Sequence, residues 1–314
     1  MSFLYFLEEI RNPVLDFLFS IVTLFGEETV FMAVGMIVFW CVNKQKGYYL
    51  LSVGFVGTVI NQFLKITFRV PRPWVKDPNF TIVESAREAA SGYSFPSGHT
   101  QTSVGLFGGL ALKFRNRVVR IASIALCVLV PLSRMYLGVH TPKDVLVSLA
   151  IGFSLVLILY PIIEASRKNP RIMYGVIAFA FLLSLGNLLF VELYAFPANT
   201  DPVNLTDARQ NAWKLFAAVL GMCILYPVER KWIRFETHAV WWAQIMKLIG
   251  GIALILAVRM LLKQPLNALF GVNIGGAVRY FLMVIVAGIV WPITFRFFAK
   301  LGKKPNRIAI TTKR

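Results

Sequence analysis

Three short polar clusters interrupt an otherwise apolar chain, and they hold the residue types that can do chemistry. They are Lys65-x6-Arg72-Pro73, Pro96-Ser97-Gly98-His99 and Ser133-Arg134-x5-His140-x3-Asp144. Together they supply three cations, two of the three histidines in the chain, a carboxylate and serine hydroxyls. Cations that neutralise phosphate oxygens, combined with imidazoles that attack or move protons, are suited to transferring a phosphoryl group.

The third cluster has the order expected of a nucleophile and its orienting partner. Thr141 and Pro142 follow His140 as a helix cap and a first-turn proline, which puts Asp144 near the third helical position. Asp144 is therefore expected to accept a hydrogen bond from one ring nitrogen of His140 and leave the other as the nucleophile. Arg134 ends the preceding helix, and its fork of donors suits phosphate oxygens.

The second cluster predicts an anion site at the start of a helix. Pro96 sets the turn, Ser97 and Gly98 lead into the helix, and the first free amides of a helix bind anions. His99 is suited to protonate a leaving alkoxide and then to activate water. Lys65 and Arg72, seven residues apart on one predicted helix face, would neutralise the remaining phosphate oxygens.

The three clusters, in this order and spacing, resemble the three motifs of the type-2 phosphatidic acid phosphatase (lipid phosphate phosphatase) superfamily. The resemblance covers about residues 28–164. It implies that His140 forms a phosphohistidine, that Asp144 supports it and that His99 is the acid and base. It also implies that the phosphate is held by the following residues: Lys65, Arg72, Ser97, Gly98, Ser133 and Arg134. The family needs no metal, so neither a metal nor another cofactor is expected.

The composition indicates a membrane protein. Of the 314 residues, 57% are hydrophobic and 15% are charged, whereas soluble domains carry about 25% charged residues. Apolar runs of the length that crosses a bilayer recur along the chain, and their continuity favours helices over barrel strands. The prediction is an all-α, polytopic membrane helical bundle with about nine transmembrane helices: 29–42, 48–68, 97–114, 118–134, 142–164, 172–194, 208–228, 239–262 and 277–299.

These spans divide the chain into four predicted parts. Residues 1–27 form an N-terminal interfacial or re-entrant segment, because the apolar run at 13–25 is too short to span comfortably. Residues 28–164 form the phosphatase core, and residues 165–300 form a C-terminal extension of four transmembrane helices. Residues 301–314 form a basic tail.

Charge distribution predicts the orientation. Over half of the 33 basic residues fall on one side, in segments 44–46, 113–120, 167–171, 230–234 and 296–314. Cytoplasmic loops are rich in Lys and Arg, so the C-terminus is expected in the cytoplasm and the clusters on the outer face of the cell membrane. A lumenal site in the endoplasmic reticulum is the alternative. This rule also accounts for most of the net charge of +18, and no nucleic-acid partner is expected.

The functional hypothesis is a membrane phosphatase that removes phosphate from a lipid phosphate or a polyprenyl diphosphate at the bilayer surface. A lipid phosphotransferase would use the same His140 intermediate with an alcohol as acceptor. A carrier for lipid or phosphorylated solute is the alternative from another class, although the repeated halves typical of carriers are not evident. Ser133 either contacts phosphate or bonds within its own helix. The sequence leaves the substrate and the oligomeric state open.

Overall fold

A computed structural model describes residues 1–301 of the chain, and each regular element in that part is a helix. The all-α prediction is confirmed. Apart from its first residue, the predicted basic tail at 301–314 lies outside the described residues. The α-helices are α1 Ser2–Glu9, α2 Pro13–Leu24, α3 Glu28–Ile37, α4 Lys44–Phe68, α5 Pro73–Lys76, α6 Gly98–Ser103, α7 Gly109–Lys113, α8 Arg117–Tyr136, α9 Pro142–Ala165, α10 Arg171–Leu193, α11 Pro202–Val228, α12 Trp241–Leu261, α13 Lys263–Ile285, α14 Trp291–Ile293 and α15 Phe295–Phe298.

Short π-helical and 3-10 segments complete the helices. The π segments are Val38–Val42 after α3, Val104–Gly108 between α6 and α7, Glu229–Ile233 after α11 and Val286–Val290 after α13. A 3-10 turn at Glu84–Ala86 lies in the long loop between α5 and α6.

The chain is a multi-span integral membrane protein. Within the described part, seven helical stretches are long and apolar enough to cross a membrane, or eight if the pair Pro13–Leu24 and Glu28–Val42 is one span bent by 48°. The predicted count of about nine included the stretch from α6 to α7, which is shorter than a usual span and lies buried inside the bundle.

Helix α4 is the centre of the bundle. It contacts α3, α6, α9, α10 and α11, so it joins the predicted core to the predicted extension. Asn43 caps its start by accepting a hydrogen bond from the Lys46 amide, and Arg69 ends it in the left-handed conformation with φ 48°. Helix α4 therefore stops at Phe68, before Arg72, so Lys65 and Arg72 do not share a helix face as predicted from their spacing.

Helix α13 departs from the predicted span at 277–299. It begins at Lys263 and is broken at Gly271, where φ is +75° and ψ is 169°. This conformation is costly for residues other than glycine, and it separates a short helix before Gly271 from the long one after it. Beyond the break, α13 packs along α11.

The basic loops meet at one end of the bundle. Lys44 forms an ion pair with Glu229 at 2.7 Å, and Lys113 forms one with Glu164. The helices connected by these loops carry the polar clusters at their other ends.

Close packing at the start of α4 generates a prediction about stability. A Cβ on Gly47 would lie 2.4 Å from the Phe39 Cα, a backbone atom that cannot rotate away. Gly47→Ala is expected to destabilise the protein by about 1–3 kcal/mol, because the backbone segments must separate. The measurement is the melting temperature of the detergent-purified protein.

Gly175→Ala in α10 is the matched control, since nothing lies within 4 Å of a Cβ at that position. It should leave the melting temperature unchanged or raise it, because alanine favours helix by up to about 1 kcal/mol over glycine. Equal melting temperatures for the two variants would contradict the packing described for Gly47.

Candidate active site

The three polar clusters meet at one end of the bundle. They lie at the end of α4 and in the loop after it, at the start of α6, and across the turn from α8 to α9. The Ser97 amide donates to the Asp144 carbonyl at 3.2 Å, which joins the second cluster to the third. Arg72 Nη1 lies 3.0 Å from His140 Nε2, which joins the first cluster to the third.

Arg72 is held by a set of backbone carbonyls. Its Nε donates to Gly92 at 3.0 Å, its Nη2 to Ser91 at 2.7 Å and its Nη1 to Val139 at 3.0 Å. Only 6% of the residue is exposed. These contacts leave the guanidinium little freedom and direct Nη1 at His140.

The contact with Arg72 determines which ring nitrogen of His140 carries the proton. A guanidinium has donors and no acceptor, so His140 Nε2 must be the acceptor in this pair. In the neutral ring the proton then lies on Nδ1. His140 lies in the turn between two spans, and burial, followed by the charges of Arg72, Arg134 and Lys65, holds its pKa well below the ordinary value. The ring is therefore neutral at pH 7, with the Nε2 lone pair directed at the guanidinium.

The start of α9 has the predicted helix cap, but Asp144 does not form the predicted direct hydrogen bond with His140. Thr141 and Asp144 form a capping box, in which the Thr141 amide donates to Asp144 Oδ2 at 2.7 Å. That oxygen lies 3.6 Å from His140 Nδ1, which is too far for a hydrogen bond. The cap and a serine hydroxyl already occupy Oδ2.

Ser94 provides the link between Asp144 and His140, and the sequence analysis missed it. Its hydroxyl donates to Asp144 Oδ2 at 2.6 Å and lies 3.5 Å from His140 Nδ1. The Ser94 amide donates to the Val70 carbonyl at 2.8 Å, which holds the loop in place. The available signal was a serine two residues before Pro96, separated from the second cluster only by Phe95.

The second cluster caps α6 and leaves His99 without a partner. Ser97 Oγ accepts from the Thr100 amide at 3.4 Å, so this hydroxyl serves as the helix cap. Gly98 faces Asn61, whose Oδ1 is 3.7 Å from the position that a Cβ would take. The buried Nε2 of His99 has no hydrogen-bond partner among the described residues.

Arg134 is fully buried and only partly satisfied. Its Nη1 donates to Thr23 Oγ1 at 2.8 Å, while Nε and Nη2 have no partner in the part of the chain described. Its carbonyl accepts from the amides of Val139 and His140, which fixes the turn that carries His140. Thr23 lies on α2, so the segment predicted to be interfacial or re-entrant packs on α8 and reaches this site.

The two remaining predicted residues differ in their surroundings. Lys65 Nζ donates to the Tyr93 carbonyl at 2.6 Å, so it joins Arg72 at the 91–93 segment of the loop. Ser133 Oγ instead donates to the Val130 carbonyl at 2.7 Å within α8. The structure thus favours the intrahelical alternative for Ser133.

The arrangement can bind a tetrahedral anion. The buried Arg134 has two donors without acceptors, Arg72 contacts the neutral imidazole of His140, and phosphate oxygens satisfy such donors well. Within residues 1–301, no group of three or more His, Cys, Asp or Glu side chains is arranged to hold a metal ion.

Comparison with known proteins agrees with this chemistry. Residues 45–168 match the PAP2 superfamily, and residues 213–304 match the PAP2 superfamily phosphatase transmembrane extension. A probable sphingosine-1-phosphate phosphatase of Dictyostelium discoideum is 30% identical over 69% of this chain and 55% of its own length. The undecaprenyl-diphosphatase BcrC of Bacillus subtilis is 31% identical over 45% of this chain and 72% of its own.

A third relative is the lipid A 1-phosphatase of Rhizobium etli, which is 42% identical over 33% of this chain and 44% of its own length. The chain thus spans only about half the length of two of these three relatives. No solved structure matches the chain significantly. The matched family regions and the similarity to BcrC over most of that protein show that this integral membrane chain belongs to the PAP2 superfamily.

Proposed function

We propose that the chain is a metal-independent membrane phosphatase that cleaves a lipid phosphate or polyprenyl diphosphate through a phosphohistidine at His140. The observation that carries this proposal is the 3.0 Å contact of His140 Nε2 with Arg72 Nη1, together with the unsatisfied donors of the buried Arg134. A phosphate placed there would accept from both guanidiniums. The phosphatase names of the relatives support the same reaction class.

The first step forms a bond between His140 Nε2 and phosphorus as the bond from phosphorus to the leaving oxygen breaks. Arg72 transfers its donor from Nε2 to a phosphate oxygen, which frees the lone pair for attack. The charge of the bound phosphate offsets the cations around His99 and lets the ring take up a proton from solvent, which His99 then gives to the leaving alkoxide. Arg134 and Lys65 offset the charge on the remaining oxygens.

The second step releases phosphate. His99, now lacking its proton, takes one from water, and the hydroxide attacks phosphorus and displaces His140 Nε2. While phosphorus is attached, the ring carries additional positive charge. Ser94 accepts from Nδ1 and donates to Asp144, so the carboxylate stabilises this charge through the hydroxyl.

The bilayer supplies the substrate in this proposal. The site lies at the end of the bundle opposite the basic loops. With those loops in the cytoplasm, the site faces the outer surface of the cell membrane, or the lumen if the protein resides in the endoplasmic reticulum.

Loss of the nucleophile gives the first test of this function. His140→Ala is expected to lower phosphate release from lipid substrates by at least about a thousandfold. The measurement is phosphate release by detergent-purified protein in the presence of a chelator, with phosphatidic acid, a sphingoid phosphate and a polyprenyl diphosphate. His238→Ala is the control, because the neighbouring Thr237 contacts Val42 at the other end of the bundle. Full hydrolysis by the His140 variant would refute the proposal.

The phosphohistidine itself can be trapped by removing His99. An aryl phosphate has a leaving group that needs no proton, so His99→Ala should form the intermediate and then hydrolyse it slowly. The slowing expected for the loss of a general base is about 10²–10⁴-fold. Radiolabelled protein, stable in alkali and labile in acid, would be measured after a brief reaction. The double variant H99A/H140A should carry no label, and label in that variant would place the intermediate elsewhere.

The role of Ser94 can be tested by comparing the activity of its alanine variant with that of an alanine variant of Ser133, the serine that the sequence motif contains. Ser94→Ala removes the hydroxyl between Asp144 and His140, and kcat is expected to fall about 10–100-fold, as for other orienting partners of reactive groups. Ser133→Ala should change kcat little, because its hydroxyl bonds within α8. The reverse order of effects would show that Ser133, and not Ser94, belongs to the site.

A further inference from the structure

Two cations in the C-terminal extension lie outside the site described above. Lys214 is on α11 and Arg279 is on α13, both within membrane helices. Arg279 is only 8% exposed, and its Nε and Nη1 have no hydrogen-bond partner among the described residues. Ionisable side chains inside a membrane are costly to bury, so they mark functional positions by default.

The two side chains are neighbours. Helices α11 and α13 pack along each other, and Lys214 Cε lies 3.6 Å from the position that a Cβ on Gly276 would take. Arg279 follows Gly276 by three residues and therefore lies on the same face of α13, one turn further on. The bare backbone at Gly276 leaves room for Lys214 beside Arg279.

Packing places this pair near the candidate active site. Ala212, two residues before Lys214 on α11, belongs to the same apolar cluster as Ile66 and Tyr93. Ile66 follows Lys65, and the Tyr93 carbonyl accepts from Lys65 Nζ at 2.6 Å. The Lys214–Arg279 pair therefore lies on the side of the site that the extension forms.

The nearby carboxylates do not satisfy the pair. Glu28 and Asp207 lie within electrostatic range of Lys214, as does a further cation, Arg259. Within residues 1–301, no ion pair includes Lys214 or Arg279. A buried guanidinium with two free donors is suited to an anion with several oxygens, and a neighbouring ammonium increases the attraction.

Building on the function proposed above, we propose that Lys214 and Arg279 form a second anion site for a headgroup phosphate other than the scissile one. The substrates favoured by this site are lipids whose headgroup carries a phosphodiester or second phosphate separated from the terminal monoester. Lipids with a single phosphate would use the His140 site alone. The extension would thus select the substrate without taking part in the chemistry.

The test compares two lipids with the same acyl chains, phosphatidic acid and phosphatidylglycerol phosphate. Both end in a phosphomonoester, and only the second also has a phosphodiester. Arg279→Gln and Lys214→Gln should each raise KM for phosphatidylglycerol phosphate about tenfold, the loss expected for one charge-assisted hydrogen bond. Kinetic constants for phosphatidic acid should stay the same in both variants, and this activity also reports correct folding. Arg279→Lys, which keeps the charge, should recover part of the affinity.

Lys263→Gln is the matched control, since Lys263 is an exposed cation on the same extension. It should change neither substrate's constants. The proposal would be overturned if the Arg279 and Lys214 variants changed the kinetic constants for both lipids equally, or changed them for neither lipid. A wild-type protein that hydrolyses a polyprenyl diphosphate or a sphingoid phosphate but neither of these two lipids would overturn the headgroup proposal alone, whereas hydrolysis of none of the four would contradict the proposed function.

A second experiment distinguishes a lipid headgroup from free phosphate as the ligand of the Lys214–Arg279 pair. Inorganic phosphate would be added as an inhibitor during hydrolysis of phosphatidic acid. If the pair binds a headgroup, the inhibition constant should be the same in wild type and Arg279→Gln. Weaker inhibition in the variant, with unchanged preference between the two lipids, would identify a site for released phosphate and overturn the headgroup proposal.

Discussion

The contact between Arg72 and His140 Nε2 is the interaction on which the rest of the site depends. A buried imidazole beside cations stays neutral, and the guanidinium requires the lone pair to lie on Nε2. The proton is consequently on Nδ1, toward Ser94 and Asp144. This one contact thus determines the tautomer of the ring and, in the proposed mechanism, the nitrogen that attacks phosphorus.

Burying this many cations within a membrane protein requires acceptors, and the loop before α6 provides several of them. The carbonyls of Ser91, Gly92 and Tyr93 accept from Arg72 and Lys65. Backbone carbonyls carry partial charge without titrating, so they offset the desolvation of the cations while leaving the guanidiniums positive. Carboxylates in the same place would pair with the cations and compete with phosphate.

The same loop connects the active site to the C-terminal extension. Tyr93 packs against Leu188 and Ala212 on α10 and α11, and its hydroxyl accepts from the Asp201 amide at 3.3 Å. Helix α4 provides a second connection, because it contacts both parts of the chain. The extension therefore braces the carbonyls that hold Lys65 and Arg72, in addition to carrying Lys214 on α11 and the buried Arg279 on α13.

The amino-acid sequence alone predicts the helical class, most span limits and the residues of the polar clusters. These features follow from local signals: apolar runs of membrane length, and caps such as Thr141-Pro142, whose capping box the structure contains. The motif residues also indicated the family, because their types and spacing are readable without coordinates. The number of spans was harder to predict. The stretch from α6 to α7 is shorter than a usual span, and the break in α13 at Gly271 depends on the conformation of a single residue.

The way in which the cluster residues meet depends on tertiary contacts. Arg72 reaches His140 from a loop, Ser94 lies between Asp144 and the ring, and Thr23 arrives from α2. Ser133 matches the motif yet bonds within its own helix. Each of these outcomes depends on which donor and acceptor come within about 3 Å across segments far apart in the chain, and sequence spacing carries no information about such distances.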